Sequence, residues 1–328
     1  MLNYEGFTKE GNWYKGNLHS HTTNSDGMLR PEEAVELFKS HGYSFLCFSE
    51  HDCYTDYRRK FNTDDFIILP GVEASAILYE ERGSNNRLKV HHIHGILGTE
   101  KMQKEARKPL FEHKDVLKIP KYYGEWDGAY VAQALSDGLR DRGCITTYNH
   151  PIWSRVCEEE FIETEGLFAL EIFNYNTVNE SGTGYDTTHW DTMLRMGRQI
   201  YGFASDDNHN EGLFDDACGG YIVVKAPSLT HDHIIKAMLA GNYYSSAGPE
   251  IYDWGIKEGV AYIECSPVNR VNFIAGNSIN AGMTVMCDNI DDTLCKAQFP
   301  LKGNESYLRI ECTDKYGKTA WTNAVFLK

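Results

Sequence analysis

Nowhere in the chain are two cysteines spaced as Cys-x-x-Cys, and the total of nine is odd. Scattered as Cys47, Cys53, Cys144, Cys157, Cys218, Cys265, Cys287, Cys295 and Cys312, they exclude a disulfide framework and a thiolate zinc site, and point to a reducing compartment. No basic leader with an apolar run opens the sequence, and no stretch approaches the roughly eighteen apolar residues of a membrane helix. A cytoplasmic, soluble chain without membrane contact is therefore expected, and the Asn304-Glu305-Ser306 sequon is an accident of composition. Lys/Arg clusters are missing too: 32 basic residues face 47 acidic ones, a formal charge of −15. That excludes a sequence-independent grip on a nucleic-acid polymer unless bound cations reverse the local field, and leaves room for a small anion. Gly-x-Ser-x-Gly elbows, phosphate-binding Gly-x-x-x-x-Gly-Lys loops and His-Glu-x-x-His helices are lacking as well, which removes the usual competing hydrolase and nucleotide-binding signatures. There is no internal repeat and no low-complexity segment.

What is present is a chain of 328 residues, 41% hydrophobic, enough for a large core and a second small one. Up to about residue 248 short apolar runs alternate with helical patterns. "SFLCFSEHD", "FIILPGVEAS", "LKVHHIHGIL", "CITTYNHP", "ALEIFNYN", "IYGFASDDNH" and "GGYIVVKAP" read as strands. Helical patterns start at Pro31, run through "GAYVAQALSDGLRDRG" and "TTHWDTMLRMG", and end with a segment capped near Thr230 and stopped by Gly241. The alternation predicts a mostly parallel sheet in a closed or nearly closed β/α barrel, whose chemistry collects where strands end. After Pro249 short alternating segments with Gly, Asn and Asp turns replace the helices, the pattern of a small antiparallel β-sandwich. The expected division is 1–249 and 250–328.

The strand ends carry the chemistry: His19 and His21, then Asp26, His51 with Asp52, Glu73, His92 and His94, His150, and Asp207 with His209. His-x-His on a strand puts both rings on one face. Imidazoles mixed with carboxylates suit zinc, manganese or iron rather than calcium or magnesium. The set exceeds what one tetrahedral ion needs, so two or three divalent ions with Glu73 as bridge fit better.

In order, "LHSHTTNSDG", "SEHD", "GVEAS", "NHP" and "SDDNH" resemble the motifs of the PHP (polymerase and histidinol phosphatase) family of metal-dependent phosphoesterases, over residues 16–248. The resemblance implies a distorted seven-stranded (β/α)7 barrel with a two- or three-metal site. It assigns His19, His21, Glu73 and Asp207 to one ion; Glu73, His92 or His94, and His150 to a second; Asp26, His51 and His209 to a third. His92 is preferred, with His94 on the same face as second choice. The usual Thr-Asp-His is Ser49-Glu50-His51 here, a change beside the ligand, and Asp206 doubles the closing acid. Asp52 and Asp206 are expected as supporting residues behind the ligands.

A hydroxide between two cations is a strong nucleophile at neutral pH, and the same ions bind phosphoryl oxygens. A small phosphate ester is thus the expected substrate: a nucleotide, or a sugar or amino-alcohol phosphate. His209 or His51, if not bound to metal, can serve as acid to the leaving group. Arg155, after "NHPIWS", is the first candidate for a phosphate clamp, and Glu171 and Asn174 are candidates for shaping the substrate pocket. Two other readings stay open: an amide or lactone hydrolase on the same barrel, and a metal-stabilised binding module. Homo-oligomerisation is also left open.

Overall fold

The computed structural model describes residues 2–327. Its elements begin with β1 (Tyr4–Glu5), β2 (Asn12–Asn17), α1 (Pro31–Ser40), β3 (Phe45–Phe48), α2 (Arg58–Phe61), β4 (Ile67–Tyr79), β5 (Arg87–Leu97), α3 (Glu100–Lys104) and β6 (Lys121–Tyr123). There follow α4 (Gly128–Arg140), β7 (Cys144–Tyr148), β8 (Leu167–Asn174), α5 (Tyr175–Ser181), α6 (Thr187–Arg195), β9 (Tyr201–Ser205), β10 (Tyr221–Ala226), α7 (His231–Leu239) and β11 (Tyr243–Ser246). The local causes are those expected. Pro31 opens α1 with a ready-made helical φ, and Ala34, Val35 and Phe38 form its buried stripe. The Thr230 hydroxyl caps α7 by accepting the His233 N–H, and Gly241, at φ 70°, turns the chain out of it.

Neighbouring strands follow the path β2-β3-β4-β5-β7-β8-β9. β2, β3 and β4 are mutually parallel, as are β7, β8 and β9, but β5 is antiparallel to both β4 and β7. This departs from strict strand-helix alternation for a simple reason. The short loop from Glu80 to Asn86, closed by Glu80 N–H to the Asn86 carbonyl at 3.0 Å, cannot carry a crossover, so β4 and β5 form a hairpin. Beyond its last strand the path returns to its first. Ser20 and Asn208 form a parallel bridge, with His21 N–H to Asn208 O at 3.1 Å and Asp207 N–H to His19 O at 3.0 Å. The chain segments just past β2 and β9 therefore lie side by side.

From Ile251 the described elements are strands: β12 (Ile251–Lys257), β13 (Val260–Val268), β14 (Arg270–Ala275), β15 (Gly282–Met286), β16 (Leu294–Pro300), β17 (Tyr307–Thr313), β18 (Thr319–Thr322) and β19 (Val325–Phe326). One sheet has the order β1-β12-β13-β16, while β15-β14-β17-β18 is joined through β11 and β10 to β2. Trp254, Ile263, Phe273, Phe299 and Ile310 fill the space between the two sets of strands. The C-terminal strands also brace α6: the buried Arg309 stacks on Trp190 at 4.9 Å, and Tyr307 donates to Asp191 at 2.6 Å.

Candidate metal centre

His19 and His21 follow β2 on the segment bridged to Asn208, keep the two-residue period of extended chain, and are both fully buried. Glu73 comes from the middle of β4, where every residue but the last is buried, and Asp207 from just past β9. Their atoms converge. Asp207 Oδ1 lies 3.0 Å from both His19 Nε2 and His21 Nε2, and Glu73 Oε1 lies 3.2 Å from His19 Nε2. Glu73 Oε2 is 3.6 Å from His21 Nε2.

None of His19 Nε2, His21 Nε2, Asp207 Oδ1 and Glu73 Oε2 has a hydrogen-bond partner, although all are buried. An unpartnered buried polar atom costs about 1–3 kcal/mol, and here several meet at one point. Tetrahedral ligands about 2.1 Å from a zinc-sized ion stand about 3.3–3.5 Å apart, so the spacing and the mixed nitrogen and oxygen donors fit a divalent cation.

Two further groups adjoin this one. His51 Nδ1 and His92 Nδ1 stand 3.1 and 3.4 Å from Glu73 Oε2, and His150 Nε2 is 3.4 Å from Glu73 Oε1 and from His92 Nδ1. On the outer side the half-exposed Asp26 lies 3.5 Å from His51 Nε2 and 3.4 Å from His209 Nε2. His51 thus presents one nitrogen to each group, and Glu73 stands between two of them. His94 is fully buried, packs edge-on against His19 with ring centres 4.2 Å apart, and comes no nearer than 3.9 Å to Glu73. His92, not His94, belongs to a set of converging donors.

Charge follows from this crowding. Burial pushes His21 down to about 4, helped by His51 and His209, leaving a neutral ring of the kind that ligates metal. Burial opposes ionisation of Asp207, yet the His19, His21 and His209 rings hold its carboxyl well below the ordinary range. At His209 burial is outweighed by the bond to Asp26 and the ring is raised to about 9.

Three ring nitrogens that face away from the cluster are held. Glu171 Oε1 lies 2.8 Å from His19 Nδ1, Ser154 Oγ 3.1 Å from His150 Nδ1, and the Asp207 carbonyl 2.9 Å from His209 Nδ1. Such partners fix tautomer and ring orientation. Asn149 donates to Glu73 Oε1 at 2.7 Å. Glu50, fully buried, accepts from Thr22 N–H at 3.0 Å and Ser25 Oγ at 2.6 Å and bonds the Thr22 hydroxyl, fastening the turn that carries Asp26. Asp52 accepts the Ser75 N–H at 2.8 Å, and Asp206 accepts the N–H groups of Cys218, Gly219 and Gly220. Asp52, His150 and Asp207 all adopt positive φ (52°, 27° and 58°), local strain of the kind that gathers at functional sites.

A pocket of about 530 Å³ opens onto the cluster. Asp26, His51, His92, His150, Asp207 and His209 reach it, beside Trp153, Ile77, Ile119 and Arg87. Three expected substrate residues fall elsewhere. Arg155 is exposed and lies outside the pocket lining, because the turn after His150 carries it away. Glu171 is fully buried behind His19, and Asn174, 1% exposed, donates at 3.0 Å to both Glu171 and Asp207 while accepting the Thr177 N–H that starts α5. Both position other residues instead of lining the pocket. Arg87, Trp153, Asn149, Glu50 and Asn176 were not anticipated in these roles. Residues 179–181 close α5, and Asn176 on that helix donates to Asp207 O at 2.8 Å.

No family model matches the chain, and no curated protein sequence does. Among solved structures it is similar to proteins described as PHP-like or metal-dependent phosphoesterases. These are a two-domain Bacteroides vulgatus protein containing a predicted PHP-like metal-dependent phosphoesterase and an inferred metal-dependent phosphoesterase from Bifidobacterium adolescentis. The first is 13% identical over 99% of this chain and 97% of that one, TM-score 0.44. For the second the figures are 14% over 70% and 97%, TM-score 0.39. A Chromobacterium violaceum amidohydrolase with bound sulfate and no metal is also similar, 16% identical over 70% and 96%, TM-score 0.38.

Proposed function

We propose that the chain is a metal-dependent phosphoesterase of the PHP type, acting on a small phosphate ester. In this reading residues 1–249 form a distorted (β/α)7 barrel and residues 250–328 a β-sandwich-like unit bracing it. Two or three divalent ions (zinc, manganese or iron) are held by His19, His21, Glu73 and Asp207; by Glu73, His92 and His150; and by Asp26, His51 and His209. The observation that carries the reading is the set of unpartnered buried atoms on His19, His21, Glu73 and Asp207, opening onto a pocket of small-molecule size.

Bound divalent ions supply Lewis-acid polarisation of phosphoryl oxygens and a nucleophile from water near neutral pH. The chain's own residues do the rest. Glu171, Ser154 and the Asp207 carbonyl hold the imidazoles so that the opposite ring nitrogens face the cluster. Where the outer set carries no ion, His209, 3.4 Å from Asp26 at the pocket wall, is placed to hand a proton to the leaving oxygen.

The test is phosphate release from mononucleotides, nucleoside diphosphates, simple phosphomonoesters and a chromogenic phosphodiester, after loading with manganese, zinc or iron. Metal-dependent turnover lost in a His19→Ala/Glu73→Ala double variant supports the reading. Silence on every phosphate, with turnover of an amide or lactone, overturns it.

A further inference from the structure

We propose that Arg87 is a specificity residue, which makes the preferred substrate a phosphate ester carrying a second anionic group, phosphate or carboxylate, at its far end. This rests on the phosphoesterase reading and adds to it.

Along the β4–β5 hairpin Glu73 pairs with His94, Ser75 with His92 and Ile77 with Val90, so these residues share the face that carries the cluster. Continued without interruption, that alternation would turn position 87 to the opposite face, with Lys89 and His91. It is interrupted. The register shifts by one residue between Leu78 and Tyr79, so that Leu78 opposes Lys89 but Tyr79 opposes Arg87, and Leu88 is left over. This bulge brings Arg87 onto the cluster face, and bulges beside active sites do re-aim side chains in this way.

Arg87 is the one lysine or arginine among the residues lining the pocket. Among the described residues its side chain makes no hydrogen bond and no ion pair, whereas the pocket's carboxylates are mostly engaged. Glu180 accepts from Trp153 Nε1 at 2.7 Å, Asp216 from the N–H groups of His209 and Asn210 at 2.7 and 2.8 Å, and Asp52 from Ser75. An unpaired guanidinium in an acidic chain offers a planar fork of donors to an anion. Tyr79, which Arg87 opposes, stands four residue steps beyond Ser75, on the order of 13 Å along β4, so Arg87 springs from the far end of the pocket wall rather than beside the cluster. Ile77, Ile119 and Trp153 also line the pocket and offer apolar surface to the body of the substrate.

Calorimetric titration of the manganese-loaded chain tests this. The probes are a ladder of straight-chain alkanediol bisphosphates from ethylene to octylene, the matching phosphooxy-carboxylates, and the matching alkyl monophosphates. Wild type should bind the best-fitting dianionic probe about ten- to hundredfold more tightly than the matching alkyl phosphate, the worth of a charge-assisted pair. Arg87→Ala should erase that preference while leaving alkyl phosphate binding unchanged, and Arg87→Lys should retain part of it. The two dianionic arms decide between phosphate and carboxylate. Equal affinity of wild type for mono- and dianionic probes, or an Arg87→Ala variant weakened equally on both, overturns the assignment while the phosphoesterase reading stands. If wild type neither binds nor hydrolyses any phosphate with metal present, both fall.

Discussion

Glu171 takes no part in the pocket, yet its replacement should be among the most damaging changes near the centre. Its Oε1 holds His19 Nδ1 and also bonds the Ser205 hydroxyl, and its Oε2 accepts the His150 N–H at 2.9 Å and the Asn174 amide at 3.0 Å. A carboxylate acceptor at Nδ1 requires the proton there and leaves His19 Nε2 with its lone pair facing Glu73 and Asp207. In Glu171→Gln one oxygen becomes an NH2 group. Turned toward His19, it would donate to Nδ1 and drive the proton to Nε2, the wrong tautomer for a ligand. Turned the other way, it would meet the His150 N–H and the Asn174 amide, both donors. Losing such a partner typically costs 10–100-fold in metal affinity, about 1.4–2.7 kcal/mol. Competition against a fluorescent chelator measures this directly, with Glu171→Asp expected to recover part of the loss. Wild-type metal affinity in Glu171→Gln would refute the idea that the buried carboxylate sets the His19 tautomer.

Other consequences are equally concrete. Glu50→Ala should free the Thr22–Ser25 turn and Asp26 with it, lowering the number of metal ions bound per chain by about one in mass-spectrometric metal analysis; an unchanged count would contradict this. Asp186, 1% exposed, is pushed up to about 6 by burial, which outweighs its 2.8 Å bond to His189. The folded chain thus binds more protons there than the unfolded chain between about pH 4 and 6, so this residue's contribution falls as pH rises through that window, by on the order of 3 kcal/mol for a two-unit shift. Asp186→Asn should flatten that part of the Tm-against-pH curve, and an unaltered slope would count against it. Trp190→Ala should cost about 3–5 kcal/mol in denaturant unfolding, because the ring is fully buried, donates to Ile200 O at 3.0 Å and lies under Arg309.

His19, His21, His150 and Asp207 could be read from the chain because they follow apolar runs, and parallel strands carry their ends to one rim. The His19–His21 pair needed nothing beyond period two, whereas the grouping of Glu73, His150 and Asp207 with it followed from the ordered likeness to the PHP motifs. Other features depended on pairings that local sequence does not encode. The choice between His92 and His94 turned on how deeply β5 lies between β4 and β7, which buries His94 against His19. Arg87 needed the bulge, a matter of register between two strands. Glu171 and Asn174 sit near the end of β8 as the pattern implied, but their side chains turn inward behind His19, whereas Arg155 continues past a tight turn into solvent. The reversed β5 was hidden because a buried apolar run looks the same in either direction.

The converging His, Asp and Glu side chains are proposed to hold metal that performs ester hydrolysis. The most direct measurement is a manganese titration of the metal-free chain, with bound metal and phosphate release followed in the same samples. Both should rise together and level off at more than one ion per chain, and both should vanish in His19→Ala/Glu73→Ala. Turnover that survives chelation, or full metal loading without phosphate release from any ester, would rule out metal-dependent ester hydrolysis at this centre.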